Sequence, residues 1–295
     1  MNKAWRGSIV AVVTPFSSDG EIDFVAFGKL LQFHLENQTD GIVVCGTTGE
    51  AATLTKKEYT KLIKFAVEKV DKRIPVIAGT GCNSTLATIE NSCLAQSLGV
   101  DGVLVVTPYY NKPTGKGLYE HFARVAEAVT IPVILYNVPG RTGVNLPPEV
   151  TIRLGMDFDN IVGVKEASGD LLQMAEILAD RPEGFLVFSG DDGLAFQAVC
   201  QGADGVISVV ANLIPKEFHR LMEQAHGGEL ESARAIYYRY LNLMNLCFVE
   251  SNPIPVKTAL SLMGRIEENF RAPLCRMEEQ NRKLLRQGLL DLELL

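Results

Sequence analysis

Residues 100–110 read Val-Asp-Gly-Val-Leu-Val-Val-Thr-Pro-Tyr-Tyr. The run Val103 to Val106 is apolar without alternation, the pattern of a strand covered on both faces. An Asp-Gly pair leads into it and Thr107-Pro108 closes it. The same order recurs as Thr-Asp-Gly before GIVVCGTTG (41–49) and Ala-Asp-Gly before GVISVVAN (205–212). In each case the glycine is expected to supply the left-handed or tight geometry of a helix-to-strand turn. Five further runs complete the set: SIVAVVTPF (8–16), PVIAGTG (75–81), PVILYNVPG (132–140), IVGVKEAS (161–168) and FLVFSGDD (185–192).

The stretches between these runs are amphipathic. Asp23 through Asn37, Lys56 through Val70 and Ser84 through Leu98 carry apolar residues at three-to-four spacing. Thr55 with Glu58 three residues on is a capping box, and Pro147 and Pro215 suit first-turn positions. Eight strand-then-helix units predict an α/β chain forming a (β/α)8 TIM barrel. An open doubly wound sheet wants a Gly-x-Gly-x-x-Gly turn after an early strand, whereas the first run here ends in Thr14-Pro15-Phe16.

Beyond residue 226 strand patterns cease, and 229–249, 256–262 and 274–288 read as helices. The division expected is a barrel domain over 1–226 and a C-terminal helical domain over 227–295. The stripe Ala233, Ile236, Tyr237, Tyr240 and Leu241, continued by Leu243, Met244, Leu246 and Cys247, reads as packing against the barrel or another subunit, not as a ligand site.

Composition narrows the function. The 295 residues are 47% hydrophobic and 21% charged, which supports a large core, and the net charge of −7 disfavours a polyanionic partner such as nucleic acid. No stretch approaches the ~18 apolar residues of a bilayer span. The N-terminus is too short in apolar residues for a signal peptide. Six scattered cysteines without a Cys-x-x-Cys pair suit a reducing compartment. Four separated histidines make a metal cage a poor expectation. A soluble cytoplasmic protein without a metal or organic cofactor is expected. Cys45 reads as a buried thiol within a strand.

Polar residues gather at the carboxyl ends of the strands, the functional face of such a barrel. They are Gly46-Thr47-Thr48-Gly49-Glu50, Tyr109-Tyr110-Asn111, Tyr136 through Gly143, Lys165-Glu166, and Gly190-Asp191-Asp192. Lys165 interrupts an otherwise apolar strand. It can be a nucleophilic amine forming an imine with a carbonyl, an anion or phosphate site, a chain snorkelling outwards, or the partner of Glu166. Tyr136 on the neighbouring strand can move protons for an imine, with Thr47, Thr48 and Tyr110 as hydroxyl relays. Each is otherwise an ordinary satisfied hydroxyl. Arg141 offers a fork for a carboxylate or a structural salt bridge, and the turn between Gly46 and Gly49 can hold a second carboxylate. GTTGE is not a P-loop, because Glu50 stands where the lysine belongs. Glu50 reads as a capping or network residue, and Asp191-Asp192 as helix capping in preference to Mg²⁺ binding.

Together GTTGEAATL (46–54), TPYYNKP (107–113), YNVPGRTG (136–143) and GVKEASGD (163–170) make the chain resemble the dihydrodipicolinate synthases. These belong to the pyruvate-dependent class I aldolases, which include N-acetylneuraminate lyase. The similarity extends from about Gly7 to Leu285. It implies that Lys165 forms the pyruvate enamine, Tyr136 shuttles protons, Thr47 relays them, and Tyr110 completes the relay in a neighbouring subunit. Thr48 would hold the pyruvate carboxylate, Arg141 the carboxylate of L-aspartate-4-semialdehyde, and the backbones at Gly190 and Ile207 would line the pyruvate site. The implied reaction condenses these two substrates to 4-hydroxy-tetrahydrodipicolinate on the diaminopimelate route to lysine. The implied assembly is a homotetramer of two tight dimers.

Two alternatives remain beside it: a 2-keto-3-deoxy sugar acid aldolase or neuraminate lyase, and a non-catalytic keto-acid-binding barrel. Lysine-inhibited members of the family bind lysine with a glutamate, histidines, an asparagine and a tyrosine. Here Asn83 and Tyr109 are present, but Ala87 takes the glutamate position and Lys56 and Tyr59 the histidine-like ones. Weak or absent inhibition by lysine is expected.

Overall fold

A computed structural model describes residues 5–295. The eight apolar runs form strands β1 (Gly7–Ala11), β2 (Gly41–Val44), β3 (Val76–Gly79), β4 (Gly102–Val106), β5 (Val133–Asn137), β6 (Ile161–Glu166), β7 (Leu186–Ser189) and β8 (Gly205–Ser208). All neighbours pair in parallel, and β8 returns to β1 through Gly7↔Gly205 to Val10↔Ser208, closing the barrel. Closure leaves no sheet edge.

The helices are α1 (Phe24–Glu36), α2 (Lys56–Val70), α3 (Thr85–Ser97), α4 (Gly115–Ala128), the short α5 (Pro139–Thr142), α6 (Pro148–Asp157), α7 (Leu171–Asp180), α8 (Ala195–Cys200) and α9 (Pro215–His226) around the barrel. They are followed by α10 (Leu230–Leu246), α11 (Ile254–Leu262) and α12 (Glu279–Asp291). The capping box at the start of α2 is formed in both directions. Pro215 takes the first turn of α9, while Pro147 caps α6 and Pro148 occupies its first turn. The last helix begins at Glu279, five residues later than the periodicity predicts, because residues 273–278 follow an irregular path after Pro273.

Side-chain alternation along each strand separates two cores. Val10, Ile42, Val44, Val103, Leu135 and Val187 face outwards and pack beneath the helices. Ile9, Ala11, Val43, Ile77, Leu104, Ile134, Phe188 and Ile207 face inwards and fill the barrel with Trp5 at its amino-terminal end. Each fully buried Val, Leu or Ile contributes roughly 1.5–3 kcal/mol. The tail stripe is core: Ala233, Tyr237, Tyr240, Leu243, Met244 and Cys247 are buried.

The Asp-Gly turns are built differently from expectation. Gly41 and Gly102 have ordinary backbone angles, and the left-handed positions are Gln38, Gly99 and Gly202, earlier in each turn. At Gly102 space alone excludes a side chain, and at Gly205 lack of space adds to a positive φ of 152°. A Cβ on Gly102 would meet the Trp5 ring at 2.2 Å, and one on Gly205 the Gly7 carbonyl at 2.0 Å. The aspartates tie neighbouring strands together. Asp40 accepts from the Ser8 amide at 2.7 Å, Asp101 from Val76 at 2.8 Å and Asp204 from Val187 at 3.0 Å. Cys45 is buried but lies just past β2 with φ of 53°, so it belongs to the turn and not the strand. Burial pushes its thiol far above the usual range.

Candidate active site

Lys165 shares inward parity with Tyr136 and Phe188, to which it is register-paired across β5 and β7. A bulge in β6, where Val133 faces Ile161 but Ile134 faces Gly163, comes just before it and sets that parity. The side chain is 6% exposed, and its Nζ lies 4.5 Å from the centre of the Tyr136 ring. Among the described residues, no carboxylate lies within ion-pair distance of this amine. Glu166 points to the opposite side of the sheet, where it accepts from Asn137 Nδ2 at 3.0 Å, Ser168 N at 2.7 Å and Gln173 Nε2 at 3.0 Å. Strand geometry therefore removes the Lys165–Glu166 pair and the outward-snorkelling lysine.

The amine faces a cavity of about 120 Å³ at the carboxyl end of the barrel, lined by Thr47, Thr48, Tyr136, Arg141, Lys165, Gly190, Asp191, Val209, Phe248 and Asn252, among others. Gly190 makes room for the lysine, since a Cβ there would lie 2.5 Å from the Ala167 Cβ and 3.0 Å from Lys165 Cε. Ile207, by contrast, is wholly buried inside the barrel, and Val209 takes its place at the cavity wall.

The turn after β2 is held from within by Gly49 N to Gly46 O at 3.1 Å and Glu50 N to Thr47 O at 3.1 Å. Thr14 Oγ1 donates to Gly49 O at 2.7 Å and braces it from the segment after β1. The amides of Thr47 and Thr48 donate to no described residue. Two free N–H groups and two hydroxyls on one turn form a concavity suited to an anion. Thr48 is buried and Thr47 exposed.

Glu50 is a network residue, as expected. Its Oε1 takes the Lys257 ammonium at 2.5 Å and its Oε2 the Arg271 amide at 3.1 Å. Lys257 is a second buried lysine, packed 4.4 Å over the Phe16 ring, and burial lowers its pKa despite Glu50. Its ion pair distinguishes it from the free amine of Lys165. Asp191 caps the turn after β7 through Gly193 N at 2.8 Å. Asp192 accepts from Val209 N at 3.1 Å and Val210 N at 2.7 Å, fastening that turn to the one after β8. Its burial pushes its pKa up to about 6.

Arg141, on α5, makes no salt bridge with a described residue, and its Nη2 donates to Asn252 O at 3.2 Å. Tyr110 is the one predicted relay residue absent from the cavity wall. It is 89% exposed at φ of 76°. No hydrogen bond joins Tyr136, Thr47 and Tyr110 within the described chain.

Sequence reasoning missed Phe248 and Asn252. They come from the connection between α10 and α11, in the tail expected to have no part in ligand contact. The available signal was Asn252-Pro253-Ile254-Pro255, a rigid break between two helical patterns.

The dihydrodipicolinate synthetase family model matches residues 4–291. The chain belongs to that family. It is 50% identical over 291 residues to the 4-hydroxy-tetrahydrodipicolinate synthase of Geobacter metallireducens, covering 99% of this chain and 100% of the relative. Among solved structures, the Aquifex aeolicus dihydrodipicolinate synthase shares 46% identity with a TM-score of 0.96, covering 98% of this chain and 99% of that one. The chloride-inhibited Acinetobacter baumannii enzyme complexed with pyruvate matches with 46% identity, a TM-score of 0.96 and the same coverage. The Cyanidioschyzon merolae enzyme with lysine bound shares 40% identity at a TM-score of 0.96, covering 99% of each chain.

Proposed function

We infer that the chain is a 4-hydroxy-tetrahydrodipicolinate synthase, condensing pyruvate with L-aspartate-4-semialdehyde. The observation that carries the chemistry is the buried Lys165 amine, unpaired with any carboxylate of the described residues and facing a small cavity beside Tyr136. The extent of identity to synthases of that name supports the substrates.

Lys165 Nζ attacks the pyruvate ketone, and Tyr136 delivers the proton with which the carbinolamine oxygen leaves as water. The protonated imine withdraws electrons from the methyl carbon, which loses a proton to form the enamine. The enamine carbon bonds to the aldehyde carbon of the second substrate, whose oxygen takes up a proton. The amino group of that substrate then adds to the imine carbon and expels Lys165, closing the ring. The iminium supplies the electron sink, so the sequence of steps uses no metal or organic cofactor. Thr48 and the free amides of its turn hold the pyruvate carboxylate, Arg141 the carboxylate of the second substrate, and the Gly190 backbone lets the first lie against the lysine. Ile207 serves from beneath, by packing.

The exposure of Tyr110 supports a relay completed between subunits, Tyr136 and Thr47 of one with Tyr110 of another, in a homotetramer of two tight dimers. Residues 1–226 and 227–295 are taken as barrel and helical domains, with the second lending Phe248 and Asn252 to the site, and the cytoplasm as the place of action. No described helix is long and apolar enough to cross a membrane.

Borohydride reduction with pyruvate followed by peptide mapping tests the reading. The expected result is one reduced pyruvate adduct on the peptide containing Lys165, absent in Lys165→Ala, with turnover lost by several orders of magnitude. An adduct elsewhere, or a Lys165→Ala rate near that of the parent, overturns it. Parallel assays with the semialdehyde and with sugar-acid cleavage separate synthase from aldolase.

A further inference from the structure

We propose that Asn252 is a positioning residue that sets the direction of the Thr48 hydroxyl and thereby the affinity for the keto-acid carboxylate. The proposal rests on the function inferred above. Asn252 is 6% exposed and comes from the connection between α10 and α11, more than 200 residues from the turn it touches. Its Nδ2 donates to Thr48 Oγ1 at 3.0 Å, and its main-chain carbonyl accepts from Arg141 Nη2 at 3.2 Å. One residue of the helical tail thus holds both groups assigned to the two substrate carboxylates, the first by its side chain and the second by its backbone.

A threonine hydroxyl has one proton and two acceptor lone pairs. When Asn252 occupies a lone pair as donor, the Thr48 proton has to turn away from the amide and remains available to the cavity. An acceptor at that place would do the opposite. It would draw the proton to itself and present lone pairs to the incoming carboxylate. The amide Oδ1 is buried without a hydrogen-bond partner, so the side chain is held by its single donor contact and not by a wider network. The role is therefore specific to an NH₂ group.

The arrangement yields an order among variants that loss of packing does not. Asn252→Ala removes the orienting donor but leaves the threonine free to turn towards the carboxylate. Asn252→Asp, nearly the same shape, draws the hydroxyl proton away and adds a negative charge. The aspartate variant is therefore expected to be the worse, although it fills the space better. Because Arg141 is bound through the backbone, the second substrate should feel the alanine change little.

In a reaction that passes through an enamine, kcat/KM for pyruvate reports the first half and kcat/KM for the semialdehyde the second. We expect Asn252→Asp to lower kcat/KM for pyruvate by about 10- to 100-fold, as for loss of a hydrogen bond to a charged group, and Asn252→Ala by about 3- to 10-fold. The value for the semialdehyde should stay within about 2-fold for Asn252→Ala. Borohydride trapping at saturating pyruvate should still label Lys165 in both variants. An Asp variant as good as or better than the Ala variant, or equal losses for the two substrates, overturns the positioning role. Failure of the parent protein to be labelled by pyruvate overturns the functional reading instead.

Discussion

Among the described residues two lysines are buried, and their surroundings assign them opposite work. Lys165 has no carboxylate partner among the described residues and opens on a cavity. Lys257 is wholly buried and closed off by Glu50. A buried ion pair is weak evidence for net stability, because its attraction has to offset the desolvation of two charges, but halving it leaves one buried charge exposed to that full cost. Glu50 sits at φ of 53° at the end of the turn carrying Thr47 and Thr48, so the pair anchors that turn to α11. Lys257→Met is expected to destabilise the fold by about 3–5 kcal/mol. Adding Glu50→Leu should return part of that loss, because no unpaired charge then remains. Denaturant midpoints of the two single variants and the double variant check this. A double variant as unstable as the sum of the singles defeats the ion-pair account.

Elements differ in how plainly the sequence announces them. The eight strands were legible because strands covered on both faces cannot hide their apolar runs, and α2 was legible to the residue because Thr55 and Glu58 cap it. The polar ends of β2, β4, β5, β6 and β7 were legible for the same reason, because polar residues stand out where such runs break. The carboxyl end of the tail connection was not. Phe248 and Asn252 join the site only through the way α10 and α11 fold back over the barrel, and no periodicity encodes that path. The Asp-Gly turns were half legible: the pair marks the turn, but how far its glycine serves by lack of volume depends on Trp5 and on the Gly7 carbonyl of the adjacent strand. The positions that the resemblance links to lysine inhibition and that differ here, Lys56, Tyr59 and Ala87, lie on α2 and α3. Lys56 opens α2, Tyr59 is buried with its hydroxyl donating to Gly79 O at 2.9 Å, and Ala87 lies in the first turn of α3. A tyrosine committed to a main-chain carbonyl and a lysine at a helix start offer no carboxylate for an incoming ammonium. L-lysine at about 1 mM, a concentration at which ~4 kcal/mol of binding is already sufficient for half-occupancy, is expected to leave the condensation rate unchanged. Half-inhibition at or below that concentration contradicts the expectation.

The acid response of the whole molecule follows from buried groups in separate places. His34, on the buried face of α1, and His121, in α4, are held neutral by burial, with pKa values lowered to about 3 and about 4. In the unfolded chain both titrate near 6.5. Their contribution to stability is present above about 6.5 and is lost progressively as the pH falls towards the folded values, at about 1.4 kcal/mol per unit for each. Asp192 acts in the other direction. Its carboxyl, raised to about 6 by burial, destabilises the fold when ionised, so acidification through 6 relieves part of that cost. Between pH 7 and pH 5 two histidines outweigh one aspartate, and a net loss of roughly 2–3 kcal/mol is expected. Replacing His34 by Gln removes one of the two histidines. Its hydrogen bond to Thr39 at 3.1 Å is within reach of an amide, so the fold should persist at neutral pH. Unfolding free energies measured across this interval should show a slope in the parent that is roughly halved or more in His34→Gln. An unchanged slope in that variant would mean that the acid sensitivity arises elsewhere than in these buried rings.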